Sequence, residues 1–221
     1  MAGNSGQLAG ATERGSGGFV ILGILGFKGG VGKTTASIHL AGFLNRTAPA
    51  CVIDADPNQS AITWGRKGNL PFPIITEEET AKAARKYEHL MIDCKARPTR
   101  ETISALLKGC DFLILPTTPD SLAIDALRQT IEALGGIDAS RYRILLNICP
   151  PYPSTDPEQA RALLTRAGLP IFTGQIRRSV AFQRAALAGV LVEESGEEKA
   201  AACGADYQAV GEELLGLTKG E

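Results

Sequence analysis

An apolar run over 19–27 breaks into Lys28-Gly29-Gly30-Val31-Gly32-Lys33-Thr34-Thr35, and that order of residues restricts the local fold severely. The apolar run is short and shows no polar alternation, so it reads as a strand covered on both faces. The glycines let the backbone turn without Cβ clashes and aim successive N–H groups at an anion, just where a helix begins. A loop of this kind wraps a polyphosphate. Gly29, Gly30, Val31 and Gly32 supply the backbone cradle, Lys33 reaches the β- and γ-phosphates, and the Thr34 hydroxyl is placed to ligate Mg²⁺.

The usual phosphate-loop pattern, G-x-x-x-x-G-K-[ST], asks for a glycine six residues before the lysine, and Phe27 stands there. In its place the chain carries an extra lysine, Lys28, at the mouth of the loop. The resulting K-G-G-V-G-K-T-T resembles the deviant Walker A motif of the ParA/MinD family of dimeric ATPases. That resemblance implies ATP and Mg²⁺ as cofactors and a homodimer formed on ATP binding. It also implies that Lys28 crosses to the nucleotide of the other subunit and that Thr35 touches the α-phosphate.

A chain of 221 residues with 44% hydrophobic side chains suits one domain with a substantial core. Residues 1–18, rich in Gly, Ser and Ala and without apolar periodicity, read as a flexible extension, and 19–221 as a single P-loop ATPase domain. The longest apolar run falls far short of the ~20 residues of a spanning helix, and no signal peptide is legible. Five scattered cysteines without a C-x-x-C pair read as reduced thiols in a cytoplasmic protein. Two histidines are too few for a metal site, and His39 reads as structural.

Short apolar runs alternate with helical patterns along the chain. Strands are expected near 19–26, 50–54, 72–75, 89–93, 111–116, 143–148 and 170–172. Helices are expected near 33–46, 58–65, 79–87, 99–108, 121–135, 156–167, 179–188 and 200–217. The fold class that follows is α/β, a doubly wound, mainly parallel sheet flanked by helices. In such a sheet ligands bind beyond the carboxyl ends of the strands, where the loop, Asp54 and Asp93 all fall.

Cys51-Val52-Ile53-Asp54-Ala55-Asp56-Pro57 closes an apolar strand with two carboxylates on the same side. On its own it also reads as a charged turn capping a helix. Beside the phosphate loop it resembles the family's D-x-D-P-Q segment, with Asn58 in place of Gln. The resemblance makes Asp56 the residue that positions the attacking water and gives Asp54 a supporting part in the metal or water network. His89-Leu90-Met91-Ile92-Asp93 has Walker B form, which assigns Asp93 to Mg²⁺, directly or through water. Cys94-Lys95-Ala96-Arg97-Pro98 departs from the family's usual continuation, and Lys95 and Arg97 belong either to a solvated loop or to a contact with phosphate or a partner. The strand over 111–116 and the Pro116-Thr117-Thr118-Pro119 that closes it read as fold-determining and interface-forming. Ile144-Leu145-Leu146-Asn147 resembles the strand whose terminal Asn reads adenine, with a turn residue as the equal alternative.

A net charge of −1 does not announce a nucleic-acid binder, but its distribution is uneven. Arg161, Arg166, Arg177, Arg178 and Arg184 fall in a stretch without acids between Glu158 and Glu193. Gln175–Ala185 resembles the family's I-R-x-s-x-a-f-x-e-A segment, and in partition ATPases basic residues of this third bind DNA without reading sequence. Arg177, Arg178 and Arg184 are the DNA-binding candidates; the alternative is that Arg177 and Arg178 pair with the acids of 193–198. The function implied is that of a short ParA-type partition ATPase, nucleoid-associated in the cytoplasm. It would use hydrolysis stimulated by a ParB-like or adaptor partner to move or space a plasmid, a chromosome or a protein body such as a carboxysome. The alternatives are a MinD-like membrane-cycling regulator, disfavoured by the acidic, glycine-interrupted 207–217, and an iron–sulfur relative, for which the paired cysteines are lacking. No membrane partner is expected.

Overall fold

The structure, a computed structural model, describes residues 20–218. The extension expected over 1–18 therefore lies outside the described residues. Six strands form one sheet in the order β3-β2-β4-β1-β5-β6, and every neighbouring pair is parallel. They are β1 (Val20–Ile24), β2 (Ala50–Ala55), β3 (Ile74–Thr76), β4 (His89–Cys94), β5 (Phe112–Thr117) and β6 (Tyr142–Leu146). The helices are α1 (Lys33–Leu44), α2 (Ser60–Gly65), α3 (Thr80–Ala83), α4 (Arg100–Gly109), α5 (Ser121–Ala133), α6 (Asp156–Arg166), α7 (Ala181–Ala188) and α8 (Ala200–Thr218).

Strand side chains alternate between two cores, as a period of two requires. Leu22, Ile24, Val52, Phe112, Ile114 and Leu145 face α1, α2, α7 and α8. Leu113, Leu115, Ile144 and Leu146 face α4, α5 and α6 on the other side. Because both faces are covered, the strands are apolar throughout, which is the pattern the sequence shows. From Ala36 to Leu44 every residue of α1 is buried, since that helix lies between the sheet and α8. The approach is close: a Cβ on Gly211 of α8 would overlap the Phe43 ring.

The sheet has six strands rather than the seven expected. The segment over 170–172 makes a single isolated bridge to β6, Ile144 to Ile171. Thr173 and Gly174 N–H then donate to the Glu213 carboxylate of α8, at 2.9 and 3.4 Å, before Ile176 N–H returns to the Leu146 carbonyl of β6 at 2.9 Å. The helix expected over 79–87 is also shorter, a 3-10 turn (Glu77–Glu79) followed by α3. The remaining elements fall within a few residues of their expected positions. At the start of β5, Asp111 accepts the Ile21 N–H at 2.7 Å and pins that strand to β1.

Candidate functional site

β1 lies centrally, between β4 and β5, and its carboxyl end feeds directly into the glycine loop. Gly30 (φ 78°) and Gly32 (φ 83°) take left-handed conformations that favour glycine, and no side chain caps α1. The first-turn N–H groups of α1 are thus left to an external acceptor. A Cβ on Gly29 or Gly30 would meet nothing within 4 Å, so the hollow above the loop is open. Lys33 is folded into the loop, 8% exposed, with Nζ donating to the Lys28 carbonyl at 3.2 Å. Burial lowers its pKa, against the opposing attraction of Asp93 and Asp56.

The carboxylates gather at the ends of β2 and β4, where Asp54 is in register with Asp93 and Ile24 of β1 with Asp93. Asp93 is fully buried. Ser37 Oγ donates to its Oδ1 at 3.0 Å, while Oδ2 has no hydrogen-bond partner. Burial pushes the Asp93 carboxyl up to about 6, against the neighbouring Thr34 and Ser37 hydroxyls, which favour the charged form, and with the charge of Asp54 adding to the rise. An orphaned, buried carboxylate oxygen beside a threonine hydroxyl is a donor set suited to a hard cation such as Mg²⁺. Asp54 is bound differently: its oxygens accept the N–H groups of Asp56 (3.1 Å) and Ile62 (2.9 Å). Its visible work is to fix the loop between β2 and α2. Asp56 is half-buried at the rim and accepts twice, at 3.0 Å, from Asn58 through one oxygen.

Lys28 is not part of this cluster. Its ammonium reaches 2.8 Å from Asp120, the N-cap residue of α5, and remains one-third exposed. Asp120 is held down at about 2: burial alone would raise it, but hydrogen bonds from Lys28, Thr118 and the Ala123 N–H prevail.

On the far side of the loop a cavity of about 260 Å³ opens from Gly32 and Thr35 toward Asn147, Ile148, Arg178 and Phe182. Asn147 is buried there with its amide engaged: Nδ2 donates to the Val31 carbonyl at 2.9 Å, and Oδ1 accepts Ile148 N–H at 2.9 Å. Its structural work is to clamp the loop. The three arginines proposed for DNA do not form one unpaired surface. Arg177 is locked to Asp206 of α8, with Nε donating at 2.7 Å and Nη2 at 2.8 Å, and not to an acid of 193–198. Arg184 lies 3.6 Å from Glu197, and Arg178 makes no ion pair among the described residues. Lys95 and Arg97 likewise make none among the described residues, and Arg97 adopts a left-handed φ of 51°.

The sequence profile of the CobQ/CobB/MinD/ParA nucleotide binding domain matches residues 22–192. The chain belongs to this family. A relative from Gloeobacter kilaueensis, the maintenance of carboxysome distribution protein A, is 30% identical over 201 residues, covering 88% of this chain and 93% of the relative. An ATP complex of a substituted McdA from Cyanothece superposes with a TM-score of 0.71 at 19% identity, covering 90% of this chain and 97% of that one. The septum site-determining protein MinD from Pyrococcus horikoshii, complexed with Mg-ADP, gives a TM-score of 0.64 at 21% identity, over 88% and 95% of the two chains. These structures share the fold of this chain: a parallel sheet flanked by helices.

Ser37 and Asp120 were not singled out from the sequence. Ser37 stands four residues after Lys33, one helical turn on, and that periodicity was the available signal. Asp120 carries an N-cap pattern after Pro119, but nothing local links it to Lys28. His39 joins the site to the rest of the fold: Nδ1 faces the Thr35 carbonyl at 2.7 Å, and Nε2 accepts the Val192 N–H at 3.0 Å. Its ring stacks on Tyr207 at 4.8 Å and meets Trp64 and Phe182 edge-on.

Proposed function

We propose that this protein is an ATPase of ParA type that dimerises around ATP, binds DNA without sequence preference, and positions a cargo. The observation that carries the reading is the division of labour between two lysines. Lys33 is buried in its own loop, while Lys28 projects away from it and is held by a half-exposed aspartate that exchange with another anion can release. A monomeric phosphate-loop enzyme has no use for the second lysine. A subunit that completes its neighbour's site does.

In this reading Lys33 and the N–H groups of Gly29–Thr35 hold the β- and γ-phosphates, and Thr35 lies against the α-phosphate. Thr34 and Asp93 would hold Mg²⁺, which supplies charge neutralisation at the γ-phosphate. Asp54 fixes the backbone of Asp56, whose carboxylate would position the attacking water. A ParB-like or adaptor partner stimulates hydrolysis. Arg184, mostly exposed and paired only loosely, is the foremost DNA contact of α7, because a surface ion pair of this kind is worth ~0–1 kcal/mol and exchanges easily for phosphate. The kinship with carboxysome-distribution proteins favours a protein body as cargo, with plasmid or chromosome as the other members of the class. The work is done on the nucleoid, in the cytoplasm. The membrane-cycling alternative gains no support from α8: Val210, Gly211 and Leu214 are packed into the core, and among the described residues no helix is long and apolar enough to cross a membrane.

The test is binding to random-sequence duplex DNA with ATP, ADP or no nucleotide, across a salt series. Binding should require ATP, ignore sequence and fall with salt, and Lys28→Ala should abolish it while retaining much of the nucleotide affinity. Absence of DNA binding in every nucleotide state would end the nucleoid reading. Full hydrolysis by Lys28→Ala would end the cross-subunit role of that lysine.

A further inference from the structure

Lys95 is a cation that neither the phosphate loop nor the basic segment over 161–184 accounts for. It follows the strand that carries Asp93, and the pairing of β2 with β4 gives its place. Asp54 lies opposite Asp93, and Ala55 opposite Cys94. Extending both chains by one residue sets Lys95 alongside Asp56. The side on which it falls follows from the strand period of two. Met91 packs in the core beneath α1, Asp93 accepts from Ser37 of α1, and Cys94 packs in the opposite core. Alternation therefore returns Lys95 to the side of α1, where the glycine loop opens.

The segment that carries Lys95 is short and held at both ends. Upstream lies β4; downstream, Pro98 is buried and Thr99 caps α4, its hydroxyl accepting the Thr102 N–H at 3.3 Å. Between them Arg97 takes a left-handed φ of 51° directly before a proline, a conformation that a side chain and a following proline both disfavour. The chain thus turns sharply just after Lys95. That residue is half-buried, and among the described residues it makes no ion pair. Its neighbours are engaged elsewhere: Asp56 accepts from Asn58, and Lys33 donates to the Lys28 carbonyl. On the same side lie the open hollow above Gly29 and Gly30 and the unpartnered Oδ2 of Asp93. An ammonium is a compact charge with three donors on a flexible four-carbon stem, suited to reaching a phosphate oxygen from the wall of such a hollow.

We propose that Lys95 is a γ-phosphate contact, the residue by which this chain distinguishes ATP from ADP. This rests on the nucleotide-binding reading given above, in which the γ-phosphate is the group that meets Asp56 and the cation held by Thr34 and Asp93. It adds a third lysine to the two of the loop, and it gives a use to the departure from the family's pattern that follows Asp93.

The experiment is calorimetric titration of Mg-ATP, and separately of Mg-ADP, into the full chain and into Lys95→Gln and Lys95→Arg. Each is repeated in a Lys28→Ala background, which cannot complete a neighbour's site. Loss of a charge-assisted hydrogen bond should weaken Mg-ATP about tenfold in Lys95→Gln and leave Mg-ADP unchanged. Lys95→Arg, which keeps the charge, should fall between. The ATP-specific loss should persist with Lys28→Ala, because the contact lies within one subunit. Unchanged ADP affinity also reports that the variants are folded. Mg-ATP affinity within twofold of wild type in Lys95→Gln, equal weakening of Mg-ADP, or disappearance of the loss in the Lys28→Ala background would each overturn the assignment. If the wild-type chain bound neither nucleotide, the nucleotide-binding reading itself would fail, which the variants alone cannot produce.

Discussion

His39 makes the stability of this fold pH-dependent in a direction that can be worked out from its contacts. The ring is buried, donates through Nδ1 to the Thr35 carbonyl, accepts the Val192 N–H through Nε2, and lies on Tyr207. Both nitrogens are used in the neutral form, and protonation would set an N–H against the Val192 N–H. Burial lowers the pKa to about 4, against the Thr35 hydrogen bond, which opposes the shift. The unfolded chain takes up the proton near its ordinary value of ~6.5. Between the two values the unfolded state binds more protons, so this contribution is complete above about pH 6.5 and is lost as pH falls toward 4. At ~1.4 kcal/mol per unit, the loss relative to pH 7.5 is about 2 kcal/mol at pH 5 and about 3 kcal/mol at pH 4. Urea unfolding of wild type and of His39→Phe across this range isolates the effect, since His89 and the carboxylates are common to both. The variant keeps an aromatic ring but orphans the Val192 N–H, so at pH 7.5 it should be less stable by ~1–3 kcal/mol. That deficit should shrink by about 2 kcal/mol on going to pH 5. A wild-type-minus-variant difference that stays flat from pH 7.5 to 5 would refute the assignment of a neutral, proton-excluding His39.

Two further predictions follow from the site and its packing. Asp56→Ala should cut ATP hydrolysis by ~10²–10⁴ and leave a dimer that persists in ATP, read by light scattering; a variant that stays monomeric in ATP would make Asp56 a structural residue instead. Gly211→Ala should push α8 away from the Phe43 ring and destabilise the fold by ~1–2 kcal/mol in urea, overpacking outweighing the ~1 kcal/mol gain in helix propensity; an increase in stability would show that the α1–α8 contact is looser than described.

What the sequence determined alone is whatever a contiguous segment encodes. The glycine loop, the apolar strands ending in Asp54 and Asp93, and the alternation of strand and helix each carry their meaning within a dozen residues. They were legible because turn sterics, side-chain period and burial on both faces act locally. The strand expected over 170–172 stopped at one bridge for the opposite reason: the next residue, Thr173, gives its N–H to Glu213, 40 residues on in α8. Tertiary structure alone decided the pairings. Lys28 meets Asp120 across 92 positions, Arg177 meets Asp206 across 29, and His39 receives Val192 across 153. Those contacts changed the reading of charged residues most, because a cation's ligand is set by what else lies within a few ångströms of it. Sequence could place Arg177 and Arg178 in a basic segment; only the fold committed one to an acid and left the other without an ion pair among the described residues.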